Sequence, residues 1–193
     1  QSVDYPATSG LQENAAWPMF RRNTYGLGSS PFGVSNDIQS VKWEIAIGYY
    51  IYSSPIVGAD GVIYVTGDNP SAVFAFNPDG STKWKFEVPS IDTGFDFAIP
   101  TLTKSGTLLV TSKNTIWAFN STDGTCLKCF GPYDHTSYQS MSVAVDEDES
   151  YYYQIEGNIV YAYFSNFTLK WEYDMGDDTG VRPSILTVST PVI

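Results

Sequence analysis

The sequence predicts an all-β fold, a β-propeller of four-stranded antiparallel blades, and three observations carry that prediction. One segment recurs four times, as Val-Lys-Trp-Glu-Ile (41–45), Thr-Lys-Trp-Lys-Phe (82–86), Leu-Lys-Cys-Phe (127–130) and Leu-Lys-Trp-Glu-Tyr (169–173). Aligned on Trp43, Trp84, Cys129 and Trp171, the copies lie 41, 45 and 42 residues apart. Short β-prone runs and glycine turns fill the intervals, and no stripe of helical period interrupts them. A period of this length marks a repeat architecture in which each supersecondary unit stacks on the next. Four-stranded units arranged radially are propeller blades.

Residues 1–39 read as a leader packing on the propeller, and residues 40–193 as the blades. The strand around Trp43 matches a fourth strand with no first three before it. The first whole repeat, about 52–87, predicts strands at 52–58, 61–66, 72–76 and 81–87, joined by Ala59-Asp60-Gly61 and Asn77-Pro78-Asp79-Gly80. Glycine in these links supplies the positive φ of a tight reversal. The second, about 97–130, predicts strands at 97–103, 106–112, 115–119 and 124–130. The third, about 138–173, predicts them at 139–145, 151–155, 159–163 and 168–173. A partial repeat starts at 183, where Ser189-Thr190-Pro191-Val192-Ile193 matches Ser53-Ser54-Pro55-Ile56-Val57. Three whole repeats with partial strands at both ends cannot close a ring, since propellers have about four to eight blades. Either the sequence is a portion of a longer chain, which is the favoured reading, or partner chains supply the rest.

Each third strand holds a small residue before an aromatic: Ala75, Ala118 and Ala162. Small side chains let adjacent sheets approach closely while the repeat tryptophans fill the wedge between them, so these aromatics read as packing.

The units resemble the quinoprotein-alcohol-dehydrogenase-like propellers, a family that includes pyrroloquinoline-quinone (PQQ) dehydrogenases and cofactor-free scaffold proteins. Three segments carry the resemblance: the leader Trp17-Pro18-Met19-Phe20-Arg21-Arg22-Asn23 continuing through Gly26 to Phe32, the string at 54–65, and the block at 75–86. The resemblance implies a closing seam near Trp43. Its quinone enzymes use an adjacent-cysteine disulfide and a Ca²⁺ held by carboxylate and Asn. This chain has no Cys-Cys pair, so no residue is carried over as catalytic, cofactor-binding or metal-ligating, and no cofactor is expected.

Composition narrows the function classes. A hydrophobic content of 42%, with 16% aromatic residues, excludes disorder. The formal charge of −11 repels polyanions and argues against nucleic acid and anionic membrane as partners. No apolar run approaches the roughly 20 residues of a membrane helix. A start at Gln1, together with the sequons at Asn120 and Asn166, points to a secreted, N-glycosylated protein. Both sequons fall in the same turn of successive repeats.

Cys126 and Cys129 form a Cys-x-x-Cys, read as a structural disulfide that needs a bulge or a turn, since residues three apart on a regular strand face opposite sides. Zinc with His135 as third ligand lacks a fourth donor. The single His and the absence of a Gly-x-Ser-x-Gly turn argue against serine-triad chemistry. The acidic clusters Asp146-Glu147-Asp148-Glu149 and Asp174…Asp177-Asp178 read as solvated turns, with calcium coordination as the alternative. The function expected is a non-enzymatic scaffold whose partners are other protein chains, including copies of itself assembled head-to-tail into a filament through the apolar tail 183–193. The alternatives are a fragment of a PQQ-dependent dehydrogenase, and a carbohydrate-binding propeller using aromatics such as Tyr49-Tyr50-Ile51-Tyr52.

Overall fold

The computed structural model describes residues 10–22, 28, 40–48, 51–67, 70–87, 98–112, 115–130, 142–156 and 159–175. The tail 183–193, Tyr49, Tyr50, His135, Asp177 and Asp178 lie outside them. The described strands fall into three four-stranded antiparallel sheets, each taking its strands in chain order. Blade one is β1 (Ile56–Val57), β2 (Ile63–Gly67), β3 (Ala72–Phe76) and β4 (Thr82–Glu87). Blade two is β5 (Thr101–Leu102), β6 (Thr107–Ser112), β7 (Thr115–Asn120) and β8 (Cys126–Phe130). Blade three is β9 (Ala144–Val145), β10 (Tyr151–Glu156), β11 (Ile159–Phe164) and β12 (Leu169–Asp174). There is no helix among the described residues, and the sheets do not close into a ring.

The first strands are shorter than the sequence pattern suggests, with two paired residues each. In blades one and two Pro55 and Pro100 sit just before the ladder and have no N–H to give it. The fourth strand of each blade bulges by one residue against the third, opposite Ala75/Phe76, Ala118/Phe119 and Ala162/Tyr163. The bulge fixes a register that corrects the sequence alignment. Ala75 pairs with Trp84 and Ala162 with Trp171, but Ala118 pairs with Lys128, not Cys129. Lys128 therefore holds the repeat-tryptophan position in blade two. The turn Asn120–Thr125 closes with one residue more than Asn77–Ser81 or Phe164–Thr168, which displaces a simple spacing count.

The core lies between blades rather than within them. One cluster joins Val62, Tyr64, Val73, Ala75 and Trp84 of blade one to Ile99, Leu102, Leu108, Val110, Trp117 and Phe119 of blade two. A second joins Leu109, Ile116 and Ala118 of blade two to Val143, Val145, Tyr152, Tyr161 and Tyr163 of blade three. A third sets Ile45 and Ile47 against Val65, Phe74 and Phe76, so the 41–47 segment covers the opposite face of blade one.

Residues 10–18 cross all three blades. Gly10 N–H donates to Glu147 O, Lys104 N–H to Gly10 O, and Gln12 N–H to Leu102 O. Trp17 and Val57 exchange both backbone bonds, and Leu102 N–H donates to Pro18 O. One short segment reaches the first strand or first hairpin of every blade, so these inner edges converge and the fourth strands lie outermost.

Candidate interaction surface

Each blade joins the next through a tie between a fourth strand and the following blade's third–fourth turn. Trp43 Nε1 donates to Pro78 O at 3.1 Å, and Trp84 Nε1 donates to Ser121 O at 2.9 Å. Trp43 lies 6.4 Å from the Phe76 ring and Trp84 6.4 Å from Phe119, so the 41–47 segment occupies a fourth-strand position against blade one. Ser121 O also accepts the Tyr64 hydroxyl at 3.2 Å, and burial pushes the Tyr64 phenol up to about 12.

Glycine makes this approach possible. A Cβ on Gly80 would stand 2.7 Å from Trp43 Cγ, and one on Gly124 2.6 Å from Trp84 Cδ2. Both glycines hold positive φ, 90° and 76°. In both turns an aspartate bonds onward, Asp79 to Ser81 and Asp123 to Thr125, and these bonds lower both carboxyl pKa values.

At the third joint the pair of residue types is exchanged. Lys128 takes the tryptophan position, and Phe167 takes the glycine position with φ 68°. Lys128 Nζ stands 3.5 Å from Asn166 O and 5.9 Å from the Phe167 ring centroid, while Phe167 stacks on Tyr152 at 5.6 Å. The missing glycine in Asn166-Phe167-Thr168 is visible in the sequence. Its partner Lys128 is not, because the register decides it.

Blade three repeats the joining face once more and leaves it open. In blade one Tyr64 is 2% exposed and Trp84 8%. Their register equivalents are Tyr153, half-buried, and Trp171, 41% exposed. Tyr173 and Phe164 are exposed beside them, and every residue of β12 is exposed. Trp171 lies 6.3 Å from Tyr153, and Lys170 Nζ sits 3.6 Å above the Tyr151 ring. This is an ordered aromatic sheet face without a second sheet on it among the described residues.

The other candidates resolve into turn chemistry or lie apart. Asn120 ends β7 and Asn166 lies between β11 and β12, so both sequons occupy third–fourth turns. Asn166 is exposed; Asn120 is half-buried, and its Oδ1 accepts Thr122 N–H. Cys126 and Cys129 pair with Phe119 and Trp117, two residues on one face of β7, so the bulge puts both cysteines in register with that face. The proposed disulfide depends on the Cys129 side chain, which lies outside the described ones. The 146–149 cluster forms the β9–β10 turn. Asp146 Oδ1 accepts Tyr151 N–H, and Glu149 accepts the Ser105 N–H, the Ser105 hydroxyl and the Tyr152 hydroxyl. Among the described residues no group of three His, Cys, Asp or Glu could hold a metal ion, and no helix is long and apolar enough to cross a membrane. Ile51 and Tyr52 are exposed. The non-adjacent cysteines on outermost β8 do not fit the quinone site that the resemblance implies.

Comparison with known structures agrees with this architecture. The chain matches a quinohemoprotein alcohol dehydrogenase, ADHIIG of Pseudomonas putida HK5, with a TM-score of 0.63 at 19% identity, over 84% of this chain and 27% of that one. It also matches streptogramin B lyase, with a TM-score of 0.50 at 18% identity, over 64% of this chain and 40% of the lyase. The fold is that of β-propeller blades. The chain spans well under half the length of either protein. No protein-family model and no curated protein matches the sequence.

Proposed function

We propose that this chain is a non-enzymatic structural or interaction scaffold built from PQQ-type propeller repeats, secreted and N-glycosylated, with other protein chains as partners. The exposed aromatic face of blade three carries this reading. Tyr153, Trp171 and Tyr173 present the side-chain types that are buried where one blade meets the next, and exposed aromatic sheet surface of this kind marks a site of association. The acidic turns and buried hydroxyls act instead as caps and ties, as in Thr66 Oγ1 to Ala98 O and Thr101 Oγ1 to Val143 O.

A second reading, a portion of a quinone-dependent dehydrogenase, is favoured by the match to the quinohemoprotein enzyme. Ultraviolet–visible titration of the purified chain with pyrroloquinoline quinone and Ca²⁺ separates the two. The scaffold reading expects no saturable perturbation of the quinone spectrum. Stoichiometric binding overturns it in favour of the dehydrogenase.

A further inference from the structure

We propose that Asn166 carries a glycan whose first N-acetylglucosamine packs on the Phe164 ring, which makes the sugar a structural part of the β11–β12 turn. The inference deepens the secreted, N-glycosylated reading above and rests on it. Its own content is the division of roles between the two sequons and the surface that receives the sugar.

The two acceptor asparagines stand at different places in their turns. Asn120 is the last residue of β7, where blade one has Asn77, and its N–H donates to Thr125 O to close the turn. Asn166 stands where the other blades have Asp79 and Asp123, each of which caps the N–H two residues on. Asn166 Oδ1 accepts the Thr168 N–H at 3.0 Å and the Thr168 hydroxyl at 2.6 Å, as Asp79 Oδ1 accepts both from Ser81. Asparagine in place of aspartate keeps the cap and adds an amide nitrogen. Among the described residues nothing bonds Nδ2 of this exposed side chain. Transfer there forms a bond from Nδ2 to C1 of the sugar and breaks that carbon's bond to the diphosphate of a lipid-linked oligosaccharide. The amide proton leaves with the departing diphosphate.

The turn then aims the sugar at a ring. Phe164 N–H donates to Thr168 O at 2.9 Å, so the two residues stand opposite each other, and opposite residues of antiparallel strands share a face. The Thr168 hydroxyl draws the Asn166 carboxamide to that same face. Phe164 lies there 38% exposed, held by the Tyr151 ring at 5.7 Å and by Lys170 Nζ at 5.7 Å from its centroid. An aromatic face carries negative charge density, and the axial C–H bonds on one side of a pyranose are its apolar, slightly positive complement. Packing there covers the exposed ring and offsets the left-handed φ of 68° at Phe167, the residue between Asn166 and Thr168. Asn120 has no such surface. Ala118 stands two residues before it, fully buried, and Phe119 beside it is buried as well.

The full chain secreted from a eukaryotic host tests this, in a Thr122→Ala background that removes the Asn120 sequon. Two forms are compared in urea. One is trimmed by an endoglycosidase to a single N-acetylglucosamine, and the other is stripped by a glycoamidase, which leaves an aspartate as the cap. The retained sugar should raise the unfolding midpoint by about 0.3–0.7 M, the scale of one aromatic pair. Phe164→Ser should abolish that gain, and Phe164→Tyr should keep it. An equal gain with and without the ring, or no gain with it, overturns the packing while the N-glycosylated reading stands. Asn166 found unmodified by mass spectrometry overturns both.

Discussion

Gly124 and Gly106 form a natural pair for measuring what an indole across a turn contributes. Both hold positive φ, 76° and 84°, so alanine at either meets the left-handed penalty of about 1–2 kcal/mol. Their surroundings differ. At Gly106 the nearest atom to a new Cβ is Ser121 Oγ at 3.5 Å, an ordinary contact. At Gly124 the Cβ meets Trp84 Cδ2 at 2.6 Å, Cε3 at 2.7 Å and Cγ at 3.0 Å, so the indole must move. Overpacking costs about 1–3 kcal/mol, and weakening the Trp84–Ser121 bond costs about 1 kcal/mol more. Gly124→Ala should therefore destabilise by about 3–6 kcal/mol against about 1–2 kcal/mol for Gly106→Ala. With a urea m-value of about 2 kcal/mol/M, the two midpoints should differ by about 1–2 M. Urea denaturation followed by circular dichroism reads the difference. Equal midpoints would show that the indole–turn contact adds nothing beyond backbone strain.

Two further outcomes are expected. The folded-state pKa of Tyr64, raised from 10.0 to about 12, means that its stabilising contribution is complete below pH 10 and lost as pH rises towards 12. Tyr152 and Tyr153 are shifted in the same direction, so the urea midpoint should fall between about pH 10 and pH 12, less steeply in Tyr64→Phe; a flat profile refutes the burial argument. Glycosidase treatment of natively sourced protein should lower its mass, chiefly through the exposed Asn166. Unmodified Asn120 and Asn166 in such material would remove the argument for a secretory origin.

The fold was legible because its signals are local. Turn glycines at 61, 80, 106 and 124 and the alanine–aromatic pairs of the third strands recur at one period, and each places a strand directly. The joints were less legible because they depend on register. The bulge beside Ala118 and the longer β7–β8 turn together shift Lys128 into the position that a count of spacings gives to Cys129. The first strands were overestimated because β-prone residues before Pro55 and Pro100 satisfy a propensity but find no ladder. The open face could not be read from Trp171 alone. Its sequence context matches that of Trp84, and only the presence or absence of a neighbouring sheet separates 8% from 41% exposure.

In a row of stacked units each repeat senses only its immediate neighbours, and unfolding can creep in from one end. The segment from Gly10 to Pro18 breaks that rule, because it holds blade one at Val57, blade two at Leu102 and the β9–β10 turn at Glu147 on one continuous backbone. Loosening blade three therefore tugs on blade one without passing through blade two. The leader acts as a drawstring that converts nearest-neighbour cooperativity into cooperativity of the whole array. Because its anchor at Glu147 is synthesised last of the three, the string can be pulled tight only after blades one and two and the first strand of blade three have emerged.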